Sequence, residues 1–109
     1  MVAKKRINSK QKGKRGELEL VHYLKSYGVE ARRGVQYEGS SDSPDVISDL
    51  EDIYIECKNT QNTSFYKWME KAEAEADKNQ TPVIFHRKNA GKWMVFVDAE
   101  YFMKLRIKQ

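Results

Sequence analysis

Two acidic residues and a lysine stand at a spacing that lets their side chains meet in a folded chain. Asp45 follows Pro44, and the tripeptide Glu56-Cys57-Lys58 begins eleven residues after Asp45. Two carboxylates held side by side repel each other unless a proton or a cation compensates their charge. Mg²⁺ is such a cation, since it takes carboxylate, carbonyl and water oxygens as ligands, and we expect Mn²⁺ to replace it. The motif therefore predicts a divalent metal site.

A predicted β-hairpin explains how these residues come together. In a strand covering residues 53–58, side chains alternate between the two faces of the sheet. One face carries Tyr54, Glu56 and Lys58, and the other, which we expect to point to the core, carries Ile53, Ile55 and Cys57. A tight acidic turn at residues 49–52 folds the preceding strand back and brings Asp45 beside Glu56. The alternative is a solvated strand face on which charged residues alternate by coincidence.

Helices and further strands are predicted on either side of this hairpin. The predicted elements are a helix at about 14–27, strands at 29–36, 45–48 and 53–58, a helix from a cap at Thr63 or Ser64 to about Asn79, strands at 83–85 and 93–97, and a last helix capped by Asp98. Gly28 is expected to end the first helix, and residues 38–44 to form a loop. This order predicts an α/β fold with a central mixed sheet of about five strands flanked by helices.

The composition is that of one small, heavily charged domain. Of the 109 residues, 39% are hydrophobic and 33% are charged, so we expect a single domain with a modest core. No apolar run is long enough to cross a bilayer, so no membrane partner is expected, and the basic N-terminus lacks the apolar segment of a secretory signal. The single cysteine, Cys57, excludes an internal disulfide and a cysteine-rich zinc site. We therefore expect a reducing, cytoplasmic setting.

Positive charge is concentrated at the N-terminus. Residues 1–16 contain seven basic and no acidic residues, whereas the remainder contains 13 basic and 16 acidic residues. The seven are Lys4, Lys5, Arg6, Lys10, Lys12, Lys14 and Arg15. Such a segment is typical of proteins that bind a phosphate backbone, because each neutralised phosphate releases condensed counterions. We interpret residues 1–12 as a flexible basic arm that binds nucleic acid and residues 13–109 as the folded domain. The alternative is a solvated tail.

Three runs of sequence together resemble the PD-(D/E)xK nuclease superfamily. They are Lys12-Gly13-Lys14-Arg15-Gly16-Glu17, Ser40-Ser41-Asp42-Ser43-Pro44-Asp45-Val46 and Ile55-Glu56-Cys57-Lys58. The resemblance implies a restriction-endonuclease-like domain with an active site of Glu17, Asp45, Glu56 and Lys58. Within the superfamily, the sequence is similar to the small Holliday junction resolvases of archaea and their phage-encoded relatives. That similarity implies a Mg²⁺-dependent endonuclease that cuts four-way DNA as a homodimer, in a prokaryotic cell or a phage-infected host.

The resemblance also implies individual roles. Asp45, Glu56 and the backbone carbonyl of Cys57 would hold the metal. Glu17 would complete the ligand shell directly or through water, and it fits the family pattern better than its neighbour Glu19. Lys58 would act on the attacking water and offset phosphate charge. The predicted DNA contacts are the seven basic residues named above, a loop serine among Ser40, Ser41 and Ser43, and, as a subsidiary candidate, Gln61.

Other functions share part of this pattern. A nuclease acting on ordinary or damaged duplex DNA would carry the same motif, and a non-catalytic DNA-binding module could keep the fold. The intact set of acids and lysine argues against the module, and a basic RNA binder would explain the arm but not the motif.

Four large side chains could form a dimer interface or simply fill the core, namely Trp68, Trp93, Tyr101 and Phe102.

Overall fold

The chain forms a five-stranded mixed sheet with helices on both faces. The computed structural model describes residues 9–34 and 44–107. Its elements are α1 (Ser9–Lys25), β1 (Ala31–Arg33), β2 (Val46–Ser48), β3 (Ile53–Asn59), α2 (Phe65–Glu75), β4 (Thr81–Arg87), β5 (Met94–Val97) and α3 (Ala99–Arg106). The strands lie side by side in chain order, from β1 to β5. The predicted fold class and element order are confirmed.

The sheet is antiparallel except between β3 and β4. These two strands run parallel, with Ile55 opposite Val83 and Lys58 opposite His86. Parallel neighbours need a crossover connection, and α2 supplies it. The crossover places α2 over one face of the sheet. Among the described residues, no helix has the length and apolar character needed to cross a membrane.

Each of the two longer helices buries an apolar stripe against its own face of the sheet. On one face, the fully or nearly fully buried side chains are Leu20, Val21 and Leu24 of α1 with Val46 and Ile55. On the other, they are Met69 and Ala72 of α2 with Tyr54 and Ile84. Since Tyr54 and Ile55 are consecutive, β3 has a core on both faces. The sequence predicted one core face only, because the polar residues Glu56 and Lys58 on the second face are typical of a solvent-exposed face.

Helix α1 begins earlier than the sequence predicts and ends at the predicted glycine. It starts at Ser9 instead of about residue 14, so its first turn lies within the segment assigned to the arm. At the other end, the N–H of Gly28 donates to the carbonyl of Lys25 (2.9 Å) and that of Val29 to Leu24 (3.2 Å). Gly28 has a φ of +83°. This pair of bonds with a left-handed residue is the Schellman helix stop, which glycine adopts without steric cost.

Several boundaries differ from the predicted ones by a few residues. Strand β1 is shorter than the predicted 29–36, and residues 35–43, which hold most of the predicted loop, lie outside the described part of the chain. Helix α2 ends at Glu75 instead of about Asn79, because Ala76 is already extended, with ψ at 151°. Strand β4 continues to Arg87 instead of Phe85, since its polar last residues pair with β3 as regularly as the apolar ones.

The helix caps were predicted with mixed success. Asp98 caps α3, where its Oδ1 accepts from the N–H groups of Glu100 (2.8 Å) and Tyr101 (3.4 Å). Ser64 occupies the N-cap position of α2, but its side chain makes no capping hydrogen bond. The start of α2 is therefore fixed mainly by the packing of its apolar stripe.

We expect Leu20→Ala to lower the free energy of unfolding by about 2–5 kcal/mol, because it leaves a cavity in the α1 core. Leu20 is 0% exposed, whereas Leu18 on the same helix is 41% exposed. The matched control Leu18→Ala should cost about 1 kcal/mol or less. Urea unfolding of both variants measures the difference, and equal losses would contradict the assigned core.

Candidate active site

Most of the residues predicted from the sequence to form the site lie close together, near the start of β2 and the end of β3. A cleft of about 560 Å³ opens between the first half of α1, the start of β2 and the segment that follows β3. It is lined by Lys12, Gly13, Glu17, Asp45, Cys57, Lys58, Asn59, Thr60, Gln61 and Asn62. Three of the four predicted active-site residues therefore share one cleft. The fourth, Glu56, lies behind this surface and is only 6% exposed.

Backbone hydrogen bonds fix Asp45 at the entrance to β2. Its N–H donates to the carbonyl of Ile55 (3.1 Å), and its Oδ2 accepts from the N–H of Cys57 (2.8 Å). On the other side, the N–H of Gly34 donates to the Asp45 carbonyl (2.9 Å). A Cβ at position 34 would collide with the backbone carbonyl of Pro44. Glycine at this position therefore allows the close approach of β1, a requirement that no sequence pattern indicated.

Asp45 and Glu56 form a buried carboxylate pair. Their side chains are hydrogen-bonded, and burial raises the pKa of both. For Glu56, burial and the nearby charge of Asp45 raise the pKa to about 8. Asp45 is the better stabilised anion, since the N–H of Cys57 and the charge of Lys58 partly offset its burial. Near neutral pH, the Glu56 carboxyl group therefore keeps its proton and donates a hydrogen bond to the Asp45 carboxylate. The predicted meeting of these two side chains is confirmed.

The two glutamates on α1 have different partners. Glu17 faces the cleft, and its Oε1 accepts from the Nε of Arg33 on β1 at 2.9 Å. Burial raises the pKa of Glu17, while the bond to Arg33 lowers it. Glu19 instead pairs with Arg87 on β4, away from Asp45. The helix thus presents Glu17, and not Glu19, to the carboxylate pair, although no sequence pattern indicated Arg33 as its partner.

Lys58 stands between the carboxylates and an aromatic ring. Its Nζ lies 5.6 Å from the ring centroid of Trp68 on α2. Its charge lowers the pKa of Glu17, Asp45 and Glu56. Lys71, also on α2, has the same effect on Asp45 and Glu56. The crossover helix therefore supplies both a support for Lys58 and a second positive charge, and neither was predicted from the sequence.

A buried histidine holds the segment that follows β3. His86 is 4% exposed, and its Nε2 lies 2.9 Å from the carbonyl oxygen of Thr60. The ring packs edge-on against Phe65, with centroids 5.3 Å apart. With a proton on Nε2, His86 donates to Thr60 and so fixes the wall of the cleft next to Gln61. His86 is thus a structural residue.

The family described as "Phage putative PDDEXK endonuclease" matches residues 8–108 of the chain. The chain belongs to this family. The PD-(D/E)xK nuclease superfamily was predicted from three runs of sequence, and that prediction is confirmed. The match extends well beyond those runs and includes all the described helices and strands. No curated protein matches the chain at a significant level.

A solved structure of another protein has the same fold as this PDDEXK family member. It is that of Archaeoglobus fulgidus Hjc, described as a Holliday junction resolvase from an archaeal hyperthermophile. The TM-score is 0.58 at 18% sequence identity, and the likeness covers 77% of this chain and 75% of the Hjc chain. At this identity the likeness establishes the nuclease fold, and the predicted restriction-endonuclease-like architecture is confirmed.

PD-(D/E)xK nucleases generally use divalent metals, and the donor chemistry of this family member's site suits one. Asp45 and Glu56 offer carboxylate oxygens, the hard ligands that Mg²⁺ prefers. Within residues 9–34 and 44–107, no group of three or more histidine, cysteine, aspartate or glutamate side chains stands ready to hold a metal. Further oxygen ligands near this pair are the Cys57 backbone carbonyl and the Glu17 carboxylate, which is bonded to Arg33. The residues present fit a cation that keeps several waters.

The predicted DNA contacts are only partly visible. Lys12 and Gln61 line the cleft, while Lys14 and Arg15 are exposed on α1. Lys10 belongs to α1, but its side chain is not described. The remaining candidates lie outside the described residues, namely Lys4, Lys5, Arg6, Ser40, Ser41 and Ser43. The structure adds Asn59, Thr60 and Asn62 to the cleft wall, and nothing in the sequence distinguished them from other polar residues.

The raised pKa of Glu56 makes the stability of the fold depend on pH. Its carboxyl ionises near 4.5 in the unfolded chain and near 8 in the folded one. Between these values only the folded state keeps the proton, so the Glu56 contribution to stability falls as pH rises from about 4.5 to about 8. In chelating buffer, Glu56→Gln should abolish this fall and stabilise the protein at about pH 8 by on the order of a few kcal/mol.

Urea unfolding at about pH 5 and about pH 8 measures this contribution by comparison with the unaltered protein. The matched control is Glu51→Gln, which neutralises an exposed acid in the turn between β2 and β3. This control should leave the pH dependence unchanged. If Glu56→Gln also leaves it unchanged, the buried carboxylate pair is not protonated as described.

Proposed function

We propose that this chain is a Mg²⁺-dependent DNA endonuclease that resolves four-way junctions. The observation that carries the proposal is the buried Asp45–Glu56 pair at the edge of a cleft that also holds Glu17 and Lys58. A buried carboxylate pair of this kind costs stability, so a purely structural role gives no reason for it. Hydrolysis of a phosphodiester bond gives one, because it needs a fixed anionic site for a metal beside a free cation.

Each residue of the site has a defined part in this reaction. Asp45, Glu56 and the Cys57 carbonyl hold the metal, and Glu17 completes its shell directly or through water. When bound, Mg²⁺ or Mn²⁺ acts as a Lewis acid on the phosphate and lowers the pKa of coordinated water. Lys58 orients the attacking water and offsets phosphate charge, and the Trp68 ring limits where its ammonium can move.

The substrate is held by basic residues around the cleft. Lys12 stands at its rim, and Lys14 and Arg15 follow on the exposed side of α1. We propose that the basic residues of the N-terminal arm extend this contact along the phosphate backbone, as counterion release favours. Gln61 and a serine among Ser40, Ser41 and Ser43 are further candidates for contacts with the DNA strand.

Two considerations favour four-way DNA as the substrate. The fold is that of Hjc, which is described as a Holliday junction resolvase. Resolution needs two symmetric incisions, and one chain has one such cleft among its described residues, so a twofold dimer is the simplest arrangement. A nuclease on ordinary or damaged duplex DNA is the second candidate function, since the site chemistry is the same for any phosphodiester.

Exposed apolar side chains on β5 and on α3 support the dimer. Strand β5 is at the edge of the sheet, with Met94 53% and Val95 54% exposed. On α3, Phe102 is 52% and Leu105 58% exposed, and the helix has no buried residue. Of the four large side chains considered for an interface, Phe102 is the one that remains largely exposed; Trp68, Trp93 and Tyr101 are half-buried. We propose that this apolar surface, formed by the exposed side chains of β5 together with those of α3, pairs with that of a second copy.

We expect Asp45→Asn and Glu56→Gln to reduce cleavage by at least about a hundredfold while leaving DNA binding in chelator largely intact, because both remove metal ligands. The matched controls are Asp49→Asn and Glu51→Gln, in the exposed turn of the same hairpin. Gel assays with Mg²⁺, Mn²⁺ or chelator decide this. Full cleavage by either site variant, or by the unaltered protein in excess chelator, would contradict the metal site.

The same assay distinguishes the two candidate substrates. A four-way junction and a linear duplex of the same sequence are offered at equal concentration. Preferential cutting of the junction, with paired symmetric nicks, is the expected result. Equal cutting of both substrates would support a general nuclease and contradict the proposal of a junction resolvase.

We expect light scattering at micromolar concentration to give twice the 12.8 kDa chain mass. Val95→Lys should return the protein to a monomer, because it places a charge in the apolar surface of the edge strand. Tyr27→Lys serves as the control, since Tyr27 is 71% exposed in the turn that follows α1 and lies outside this surface. A monomer of the unaltered protein, alone and with junction DNA, would exclude the dimer.

A further inference from the structure

A second polar pocket adjoins the cleft on the side of β4. It has a volume of about 420 Å³ and lies between α1 and the turn that joins β4 to β5. Its walls include Lys12, Arg15, Glu19, Asn59, Arg87 and Asn89. Lys12 and Asn59 also line the cleft, so the two spaces share a wall. We call it the flanking pocket.

The flanking pocket is electropositive. Three of its residues are cations, and Glu19 is the acid among those that line it, which leaves a formal charge of +2. Glu19 is already paired with Arg87. Of the other two cations, Lys12 is half-buried and Arg15 is exposed. An anion entering the pocket would therefore meet uncompensated positive charge.

Arg87 is held rigidly in the wall of this pocket. Its side chain is only 11% exposed, it pairs with Glu19, and its Cζ lies 4.6 Å from the ring centroid of Trp93. A guanidinium clamped between a carboxylate and an aromatic face loses little further entropy when it binds an oxyanion. The geometry is thus that of a preformed anion site and not of a mobile surface arginine.

Two polar atoms in this region are left without partners. Within the described residues, the Nε of Arg87 and the Oδ1 of Asn59 are buried and make no hydrogen bond. Buried polar groups are nearly always paired, so the unpaired N–H at Arg87 Nε leaves a donor that an anionic ligand can complete. Asn59 Oδ1 is an acceptor, so its partner is a hydroxyl, an N–H group or water and not a phosphate oxygen. Both residues belong to the flanking pocket, and Asn59 also faces the cleft.

We propose that the flanking pocket binds a backbone phosphate of the same DNA strand, next to the phosphate that is cut. This inference rests on the proposed function, since it takes the neighbouring cleft as the place of cleavage. A nucleic acid strand carries phosphates at regular intervals, so a strand with one phosphate in the cleft brings another to the adjoining pocket. Arg15 and Arg87 contact that phosphate, and the shared wall formed by Lys12 and Asn59 sets its distance from the reacting one. The pocket is a positioning site and takes no part in bond cleavage.

The first test measures DNA binding in chelator, where no cleavage occurs. Arg15→Gln removes one exposed charge from the pocket, and the control Lys25→Gln removes one from the same helix, about 15 Å farther along its axis. Fluorescence anisotropy with a short labelled duplex and a four-way junction is recorded between about 50 and about 200 mM salt. Arg15→Gln should weaken binding about tenfold and flatten the slope of log affinity against log salt by about one. Lys25→Gln should change neither.

The second test locates the phosphate. Uncharged methylphosphonate replaces the phosphates on each side of the cut one at a time, and cleavage rates are compared for the unaltered protein and Arg15→Gln. One flanking position should slow the unaltered protein about tenfold and slow Arg15→Gln much less, because the contact is already lost.

Each outcome decides one of the two proposals. If Arg15→Gln binds DNA like Lys25→Gln while the unaltered protein cuts DNA, the phosphate site in the flanking pocket is contradicted and the nuclease function is retained. If Arg15→Gln weakens binding but no methylphosphonate position shows the coupling, Arg15 acts by long-range attraction and the pocket is again wrong. If the unaltered protein cuts no DNA, the proposed function fails, while the salt slopes still report whether the pocket contacts a phosphate.

Discussion

The buried contact between Asp45 and Glu56 is the constraint on which the rest of this structure depends. Two carboxylates buried side by side cannot both be charged without compensation. For this reason burial and the nearby charge of Asp45 raise the pKa of Glu56. The fold tolerates the pair because Asp45 accepts the Cys57 N–H and stays the better stabilised anion. A shared proton resolves the conflict in the bare protein, and a divalent cation can replace that proton. The proposed metal affinity and the instability of the bare site would thus have the same origin.

The crossover between the parallel strands creates the burial that this pair needs. Because β3 and β4 run parallel, α2 must pass over the sheet, and it covers the face on which Glu56 lies. The same helix brings Trp68 against Lys58 and Lys71 near the carboxylates. An antiparallel hairpin at this point would have left that face solvated and the pKa of Glu56 near its ordinary value. Topology therefore tunes the chemistry of the site.

Helix α1 organises both polar spaces through two neighbouring acids. Glu17 reaches Arg33 on β1 at one side, and Glu19 reaches Arg87 on β4 at the other. Just before these two acids, Gly16 lies against Asn59, where an added Cβ would approach the Asn59 Cβ to 2.9 Å. This contact draws the helix close to the end of β3. It also makes Asn59 the common wall of the cleft and the flanking pocket.

The sequence by itself determined the family, the order of the elements and the hairpin that joins Asp45 to Glu56. These features are local: alternation along β3, a turn of fixed length and a glycine that ends α1 are all written in short runs of residues. The tertiary structure alone decided that Glu56 is buried, that Arg33 pairs with Glu17 and that Arg87 and Arg15 line the same pocket. Each of these depends on which strand lies next to which, and on a helix that crosses between them. Short-range patterns carry no information about such contacts, because their partners are separated by up to about seventy residues of chain.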